Sequence, residues 1–188
     1  AAAIEKINLD QDLMQQLKQV AAKQSTTLFI LMYTAYQSFL QRLSKQDDMV
    51  LGLVAAGQSI GGYENLVAHG VSLLPVRIKN DLNESFATHL KNVRNTVLDS
   101  FEHQNYTLGS LVKKLKLPRD PSRQPIISFL FNMDSEMGNL TFGDLEVKLQ
   151  PIPRNYETFD TFINVKPSAT GIDFEWIYNT DLFDQTTI

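Results

Sequence analysis

The stretch LPRDPSRQPIISFLFNM, from Leu117 to Met133, joins a charged, proline-rich turn to an apolar run. The residues between its three prolines include two arginines, an aspartate and a serine: Arg119, Asp120, Ser122 and Arg123. Asp and Ser favour turns because their side chains bond nearby backbone, and an aspartate accepts hydrogen bonds from arginine. Ile126 to Met133 has the length and composition of a buried strand. We therefore predict that the four residues form a local network that directs this strand, with contact to a partner or ligand as the alternative.

Upstream of this stretch, polar caps and apolar periodicity predict two helices. Asp10 caps the first, which runs to about Gln24. The second runs from Leu28 to Leu43 and is apolar nearly all round, so we expect it to be buried. Its cap is one of three consecutive residues, Ser25, Thr26 or Thr27.

Two strands and two more helices are predicted between that helix and the opening stretch. Met49 to Val54 and His69 to Ile78 have the composition of strands, and Pro75 in the second indicates an edge strand or a bulge. Ser85 caps a long helix and Thr107 a shorter one. The stripe of the long helix consists of Phe86, Leu90, Val93, Val97 and Phe101.

The last third of the chain is strand-like. Apolar residues alternate with polar ones at 145–149 and 172–178, and a further strand is predicted from Phe159 to Val165. The order is therefore helix, helix, strand, strand, helix, helix and four strands. It predicts an α/β fold, a mixed sheet flanked by helices, in a single domain that spans residues 1–188.

Composition excludes several classes of function. The formal charge is -4, and the densest basic run, Lys113 to Lys116, is typical of the basic end of a short helix, so we expect no nucleic-acid partner. The most apolar run, Leu28 to Tyr36, is too short to span a bilayer. The three histidines lack metal-ligand spacing, so no metal is expected. The chain has no cysteine and no signal peptide, which fits a cytoplasmic protein.

Four segments, in order, resemble the C-terminal half of the condensation domains of nonribosomal peptide synthetases. VAHGVSLLPVR, Val67 to Arg77, is similar to the family pattern IGxFVNTLPLR and closer to a variant reading VGHCVNLLPLR. HQNY, His103 to Tyr106, resembles HQDxPFE, and RDPSRQPI, Arg119 to Ile126, resembles RDxSRxPL. YNTDLFD, Tyr178 to Asp184, resembles the family's final strand and turn. In addition to these four, the preceding segment DDMVLGLVAAGQS, Asp47 to Ser59, resembles DDIVVGxPVAGR.

This resemblance implies a lobe with a chloramphenicol acetyltransferase-like fold, one of two that enclose a cleft. In the family, donor and acceptor peptidyl carrier proteins thread phosphopantetheine arms into a shared tunnel. The acceptor amine attacks the donor thioester and forms an amide. The arms belong to the substrates, so no directly bound cofactor is expected.

The family's catalytic signature, HHxxxDG, is absent from this sequence. The sequence has no pair of adjacent histidines: His69 is followed by Gly70, His89 by Leu90 and His103 by Gln104. The resemblance thus implies a fragment whose partner is the N-terminal lobe of the same domain, within a larger synthetase. We expect no catalytic residue in this chain and no activity from it alone.

Three residues are candidates to face the tunnel, by resemblance. Ser72 stands where the family usually has Asn, His103 where it has His or Asn, and His69 matches the histidine of the variant pattern. Each has a structural alternative: a small strand residue for Ser72, a helix C-terminal cap for His103 and a satisfied polar group for His69. A buried Asp160 would need a partner, for which Arg77 is the candidate.

Other functions stay open at this stage. The chain is alternatively a non-catalytic module that docks carrier proteins, or part of a related epimerisation, cyclisation or ester-forming domain. By resemblance, Gly57 to Gly62 belongs to the floor of the cleft, and Ser135 to Pro153 includes a latch that crosses to the other lobe.

Overall fold

A six-stranded mixed sheet forms the frame of the protein, in the strand order β1-β6-β5-β4-β2-β3. The computed structural model describes residues 1–56, 67, 69–81, 83–118, 120–135, 142–145, 152 and 155–188. The strands are β1 Ala2–Asp10, β2 Asp48–Ala56, β3 Val71–Lys79, β4 Phe129–Met133, β5 Thr161–Ser168 and β6 Gly171–Asn179. The helices are α1 Gln11–Lys23, α2 Leu28–Ser44, α3 Phe86–Glu102 and α4 Leu108–Leu115.

The short strand β4 lies inside the sheet and is parallel to both of its neighbours, β2 and β5. The other pairings are antiparallel. Phe131 of β4 is buried in the main core and Leu130, which points to the opposite face, in a smaller one. Because both faces of β4 are covered, its apolar residues point to both sides and do not alternate strictly with polar ones.

The four predicted helices are present, and each begins at a predicted cap. Side-chain oxygens of Asp10, Thr27, Ser85 and Thr107 accept the N–H three residues on, at distances of 2.8 to 3.2 Å. Each cap satisfies one of the backbone donors that a helix N-terminus leaves free. The four predicted helices are therefore confirmed, and of the three residues left open as the cap of α2 the structure shows Thr27.

Three helices, α1, α2 and α3, cover one face of the sheet and form the main core with it. Helix α2 is the most deeply buried, as predicted, and two of its hydroxyls reach the sheet. Tyr33 donates to the Leu51 carbonyl at 2.9 Å, and the hydroxyls of Tyr36 and Thr161 lie 2.9 Å apart. Leu108 of α4 packs against the smaller core on the opposite face. Among the described residues, no helix combines the length and apolar character needed to cross a bilayer.

Strand β1 was not predicted. It pairs antiparallel with β6 along its whole length, Ala2 opposite Asn179 to Asp10 opposite Gly171. As an edge strand with no fully buried residue, it lacks the strong apolar alternation by which strands are recognised. Its place in the sheet comes from pairing with a distant segment.

Other boundaries also differ from the predictions. The strand predicted from Ile126 begins at Phe129, and the one predicted from His69 begins at Val71. Pro75 lies on β3 at the edge of the sheet, as predicted. Phe86, predicted for the buried stripe of α3, is 43% exposed.

Two further expectations have different outcomes. Arg77 was the wrong partner for Asp160, because its guanidinium binds both carboxylate oxygens of Asp48, at 2.8 and 2.6 Å. The Arg77 side chain donates across the β2–β3 pair and so holds the pKa of Asp48 below its ordinary value.

In the strand predicted at 145–149, Leu145 forms an isolated bridge with Phe142, and 146–149 lie outside the described residues.

Candidate functional site

The charged turn before β4 is organised around Asp120. The N–H and the hydroxyl of Ser122 both donate to Asp120 Oδ1, at 2.9 and 2.6 Å. Arg123 Nε lies 3.3 Å from the other carboxylate oxygen. These Ser122 bonds, assisted by Arg123, keep the pKa of Asp120 below its ordinary value. Arg119 lies outside the described residues.

A strained turn connects this network to β4. Ile126 has φ +72°, and the Ile127 N–H donates to the Pro125 carbonyl at 2.8 Å. A three-residue turn with a positive φ at its centre is a strained form of the γ-turn, and a β-branched residue seldom occupies that region. Ile127 is fully buried beside this turn, so the surrounding structure holds the strain in place. The turn therefore sets the direction in which the chain enters the sheet.

A groove of about 740 Å³ lies between the turn and the C-terminal end of α4. Its lining residues are Val112, Leu117, Pro118, Asp120, Pro121, Arg123, Gln124, Pro125 and Ile126. Helix α4 has no buried residue, and Leu115 is 52% exposed. The groove is thus a partly apolar surface beside the exposed C-terminal end of α4.

The three tunnel-facing candidates lie on different elements. Ser72 is half-buried on β3 opposite Ala55, and His69 is exposed just before that strand. His103 is exposed and caps the C-terminal end of α3, where its N–H donates to the Asp99 carbonyl at 3.3 Å. In the described part of the chain, no hydrogen bond joins these three side chains to one another. Gly57 to Gly62 and most of the segment from Ser135 to Pro153 lie outside the described residues.

A buried polar cluster between α2 and α3 was missed in the sequence. His89 is 3% exposed, its Nδ1 lies 3.2 Å from Glu84 Oε1, and its Nε2 lies against the carboxamide of Gln37. The Gln37 Nε2 has no hydrogen-bond partner in the described structure when Oε1 faces the ring. With the amide turned by half a rotation, the Gln37 Nε2 donates to Nε2 of a neutral His89, whose Nδ1–H donates to Glu84. The available signal was polar residues at helical spacing on otherwise apolar faces of α2 and α3.

The burial of His89 makes stability depend on pH. Burial lowers the pKa of His89 in the folded protein, and Glu84 only partly opposes this. The unfolded chain, with an ordinary histidine pKa of about 6.5, then binds the proton more readily. We expect the free energy of unfolding to fall as the pH drops through about 6.5, measured by urea denaturation. His89→Gln should flatten this dependence, and equal slopes for wild type and His89→Gln would contradict the assignment.

The amino-acid sequence, compared with protein-family models, shows the family to which this chain belongs. A model of the Condensation domain matches residues 1–188, and the chain belongs to that family. The match confirms the resemblance to condensation domains, and the sheet flanked by helices confirms the predicted α/β fold.

Among its sequence relatives is surfactin synthase subunit 1 of Bacillus subtilis (strain 168), 31% identical over 182 residues, which cover 96% of this chain and 5% of that protein. Tyrocidine synthase 3 of Brevibacillus parabrevis is 30% identical over 178 residues, which cover 94% of this chain and 3% of that protein. The chain thus spans a small fraction of the curated relatives that it matches.

Solved structures share the fold at low sequence identity. VibH, described as a nonribosomal peptide synthetase condensation enzyme, has a TM-score of 0.79 at 13% identity, over 99% of this chain and 43% of VibH. The X-domain from teicoplanin biosynthesis has a TM-score of 0.88 at 19% identity, over 100% of this chain and 44% of that one.

Proposed function

We propose that this chain is the C-terminal lobe of a nonribosomal peptide synthetase condensation domain. The observation that carries the proposal is the asymmetry of coverage: nearly the whole chain aligns with condensation-domain structures, but it fills only 43% of VibH and 41% of the first condensation domain of the CDA synthetase. In this proposal an N-terminal lobe is the immediate partner. The HHxxxDG signature, absent from this sequence, belongs to that lobe.

In the assembled domain the reaction joins two carrier-bound substrates. The acceptor amine attacks the carbonyl carbon of the donor thioester, a C–N bond forms and the C–S bond breaks. The amine loses a proton, and the donor carrier leaves as the free thiol of its phosphopantetheine arm. We propose Ser72, His69 and His103 as polar groups that face the tunnel, and the turn around Asp120 as a structural element.

A second candidate function is a docking module without chemistry. The specific observation in its favour is that one structure of this fold is a complex of the X-domain with OxyB, matched at a TM-score of 0.85 and 18% identity. This alternative keeps the same lobe and the same surfaces but removes the reaction.

The proposal predicts that the 188-residue chain forms no amide bond when supplied with loaded donor and acceptor carrier proteins. The reason is that the lobe carries no general base or electrostatic group of the HHxxxDG kind. The measurement is mass spectrometry of the acceptor carrier after incubation, with the complete condensation domain of the parent enzyme as the positive control. Product from the isolated chain would overturn the lobe assignment. A complete domain that is silent yet still binds the carriers would support the docking module.

A further inference from the structure

Three polar side chains meet at the contact between α2 and α3. They are Gln37 of α2, His89 of α3 and Glu84, which precedes the cap of α3 by one residue. Gln37 is 0% exposed and His89 3%. Glu84 Oε1 lies 3.2 Å from His89 Nδ1, and the Gln37 carboxamide contacts the other ring nitrogen, Nε2. Because the ring is buried, these two neighbours decide which protonation states of His89 have their hydrogen bonds satisfied.

Glu84 determines which nitrogen of the neutral ring carries the hydrogen. A carboxylate only accepts hydrogen bonds, so it pairs with an N–H and not with a nitrogen lone pair. Nδ1 of His89 therefore carries the hydrogen, and Nε2 of the neutral ring is an acceptor. Asn92 Nδ2 donates to the other oxygen of Glu84 at 3.4 Å and helps to hold the carboxylate in place.

The side chain of Gln37 can serve the ring in either protonation state. Its carboxamide has a donor, Nε2, and an acceptor, Oε1, and half a turn about the last side-chain bond exchanges them. A neutral His89 requires the donor at its Nε2, and a protonated His89 requires the acceptor. The arrangement with Oε1 against the ring is therefore the one that suits the protonated histidine.

We propose that Gln37 and His89 form a proton-dependent switch, in which the Gln37 carboxamide turns over when the His89 ring gains a proton at Nε2, so that α2 and α3 stay joined in both states. The proton comes from solvent. One N–H···N hydrogen bond is lost and one N–H···O hydrogen bond replaces it. Glu84 accepts from Nδ1 in both states, and in the described part of the chain it is the charged group that acts on the ring. Helix α2 faces the ring with the uncharged Gln37.

The two states of the switch differ in free energy. In the protonated state the Gln37 Nε2 is buried with no acceptor among the described residues, and the ring carries a charge away from water. Burial accordingly lowers the pKa of His89, and Glu84 opposes this only in part. The folded protein thus takes up the proton at a lower pH than the unfolded chain. Acidification should weaken the fold and yet leave the contact between α2 and α3 in place.

The test is nuclear magnetic resonance of the 188-residue chain with nitrogen-15 in its histidines and glutamines. Comparison with His89→Gln assigns the His89 signals. Near neutral pH we expect hydrogen on Nδ1 and a scalar coupling between Gln37 Nε2 and His89 Nε2. This coupling should vanish at the pH at which the ring shifts report protonation, while amide hydrogen exchange in α3 stays slow.

Three results would overturn the switch. The first is hydrogen on Nε2 of the neutral ring, and the second is ring protonation without a change in the Gln37 amide signals. The third is separation of α3, or unfolding of the chain, before His89 takes up its proton. Each would show that the carboxamide does not turn over to keep the helices joined.

A matched pair of variants tests the part played by Gln37. Gln37→Met keeps a flexible side chain of similar size but has no amide, so the charged ring loses its acceptor and should titrate at a lower pH than in wild type. Gln41→Met is the control. Gln41 lies one turn further along α2 and is 1% exposed, and its amide bonds the Asp47 carbonyl at 3.4 Å and Asn80 Nδ2 at 3.3 Å. It should leave the His89 titration at the wild-type pH.

Equal shifts of the His89 titration in both variants, or no shift in Gln37→Met, would also overturn the proposal. If Gln37→Met does not fold, the coupling measured in the wild-type chain decides the question by itself, since it needs no substitution of Gln37.

Discussion

Replacing Phe131 by alanine should lower the free energy of unfolding by about 3–5 kcal/mol. Phe131 is 1% exposed on β4, the strand that the rest of the sheet surrounds. Its ring lies 5.7, 5.5 and 6.2 Å from the rings of Phe29, Tyr33 and Tyr36 on α2. The substitution removes buried apolar area and also edge-to-face ring contacts, and three large neighbours cannot collapse fully into the space.

The measurement is equilibrium urea denaturation, with Phe142→Ala as the matched control. Phe142 is 60% exposed, so its replacement should change the unfolding free energy by less than about 0.5 kcal/mol. Phe131→Leu should recover part of the loss, because it restores some of the buried volume. Similar midpoints for Phe131→Ala and Phe142→Ala would show that β4 does not lie at the centre of the core.

The second large effect is expected at Gly171, the first residue of β6. Its φ is +142°, and a Cβ there would lie 2.1 Å from the Leu9 carbonyl oxygen and 3.0 Å from the Asp10 carbonyl carbon. Gly171→Ala therefore has two costs. Alanine is disfavoured at this φ by about 1–3 kcal/mol, and its Cβ clashes with backbone atoms, which cannot move aside as a side chain can. We expect a loss of more than about 3 kcal/mol, or local detachment of β1 from β6.

Two measurements separate those outcomes for Gly171→Ala. Urea denaturation reports the global loss, and amide hydrogen exchange over Ala2–Asp10 reports detachment of β1. Gly109→Ala is the control, because a Cβ added there would have Thr107 Oγ1 as its nearest atom, at 4.0 Å. Alanine also favours a helix over glycine by about 1 kcal/mol. If Gly171→Ala were as stable as Gly109→Ala, with β1 still protected, the pairing of Asp10 with Gly171 would be wrong.

The two substitutions probe different parts of the sheet that carries the candidate site. Phe131 secures the central strand that the Asp120 turn directs, so its loss should also loosen the groove wall at Ile126. Gly171 lies at the far edge, beside β1.

Local chemistry made much of this protein predictable. The caps at Asp10, Thr27, Ser85 and Thr107 act within three residues along the chain, so the sequence contains both partners of each hydrogen bond. Apolar periodicity identified α2 as buried, and Pro75 indicated an edge strand because proline has no N–H for a second neighbour. The family was identifiable because the order of several short motifs is itself a property of the sequence.

Only the tertiary structure decided the features that join residues far apart in the chain. β1 became a strand by pairing with β6, Arg77 bound Asp48 across a strand pair, and His89 met Gln37 from another helix. The start of β4 also moved to Phe129, because the turn at Ile126 is held in a strained conformation that its own side chain disfavours. In each case the deciding energy comes from a contact with a distant segment, and neither propensity nor periodicity carries information about which segment that is.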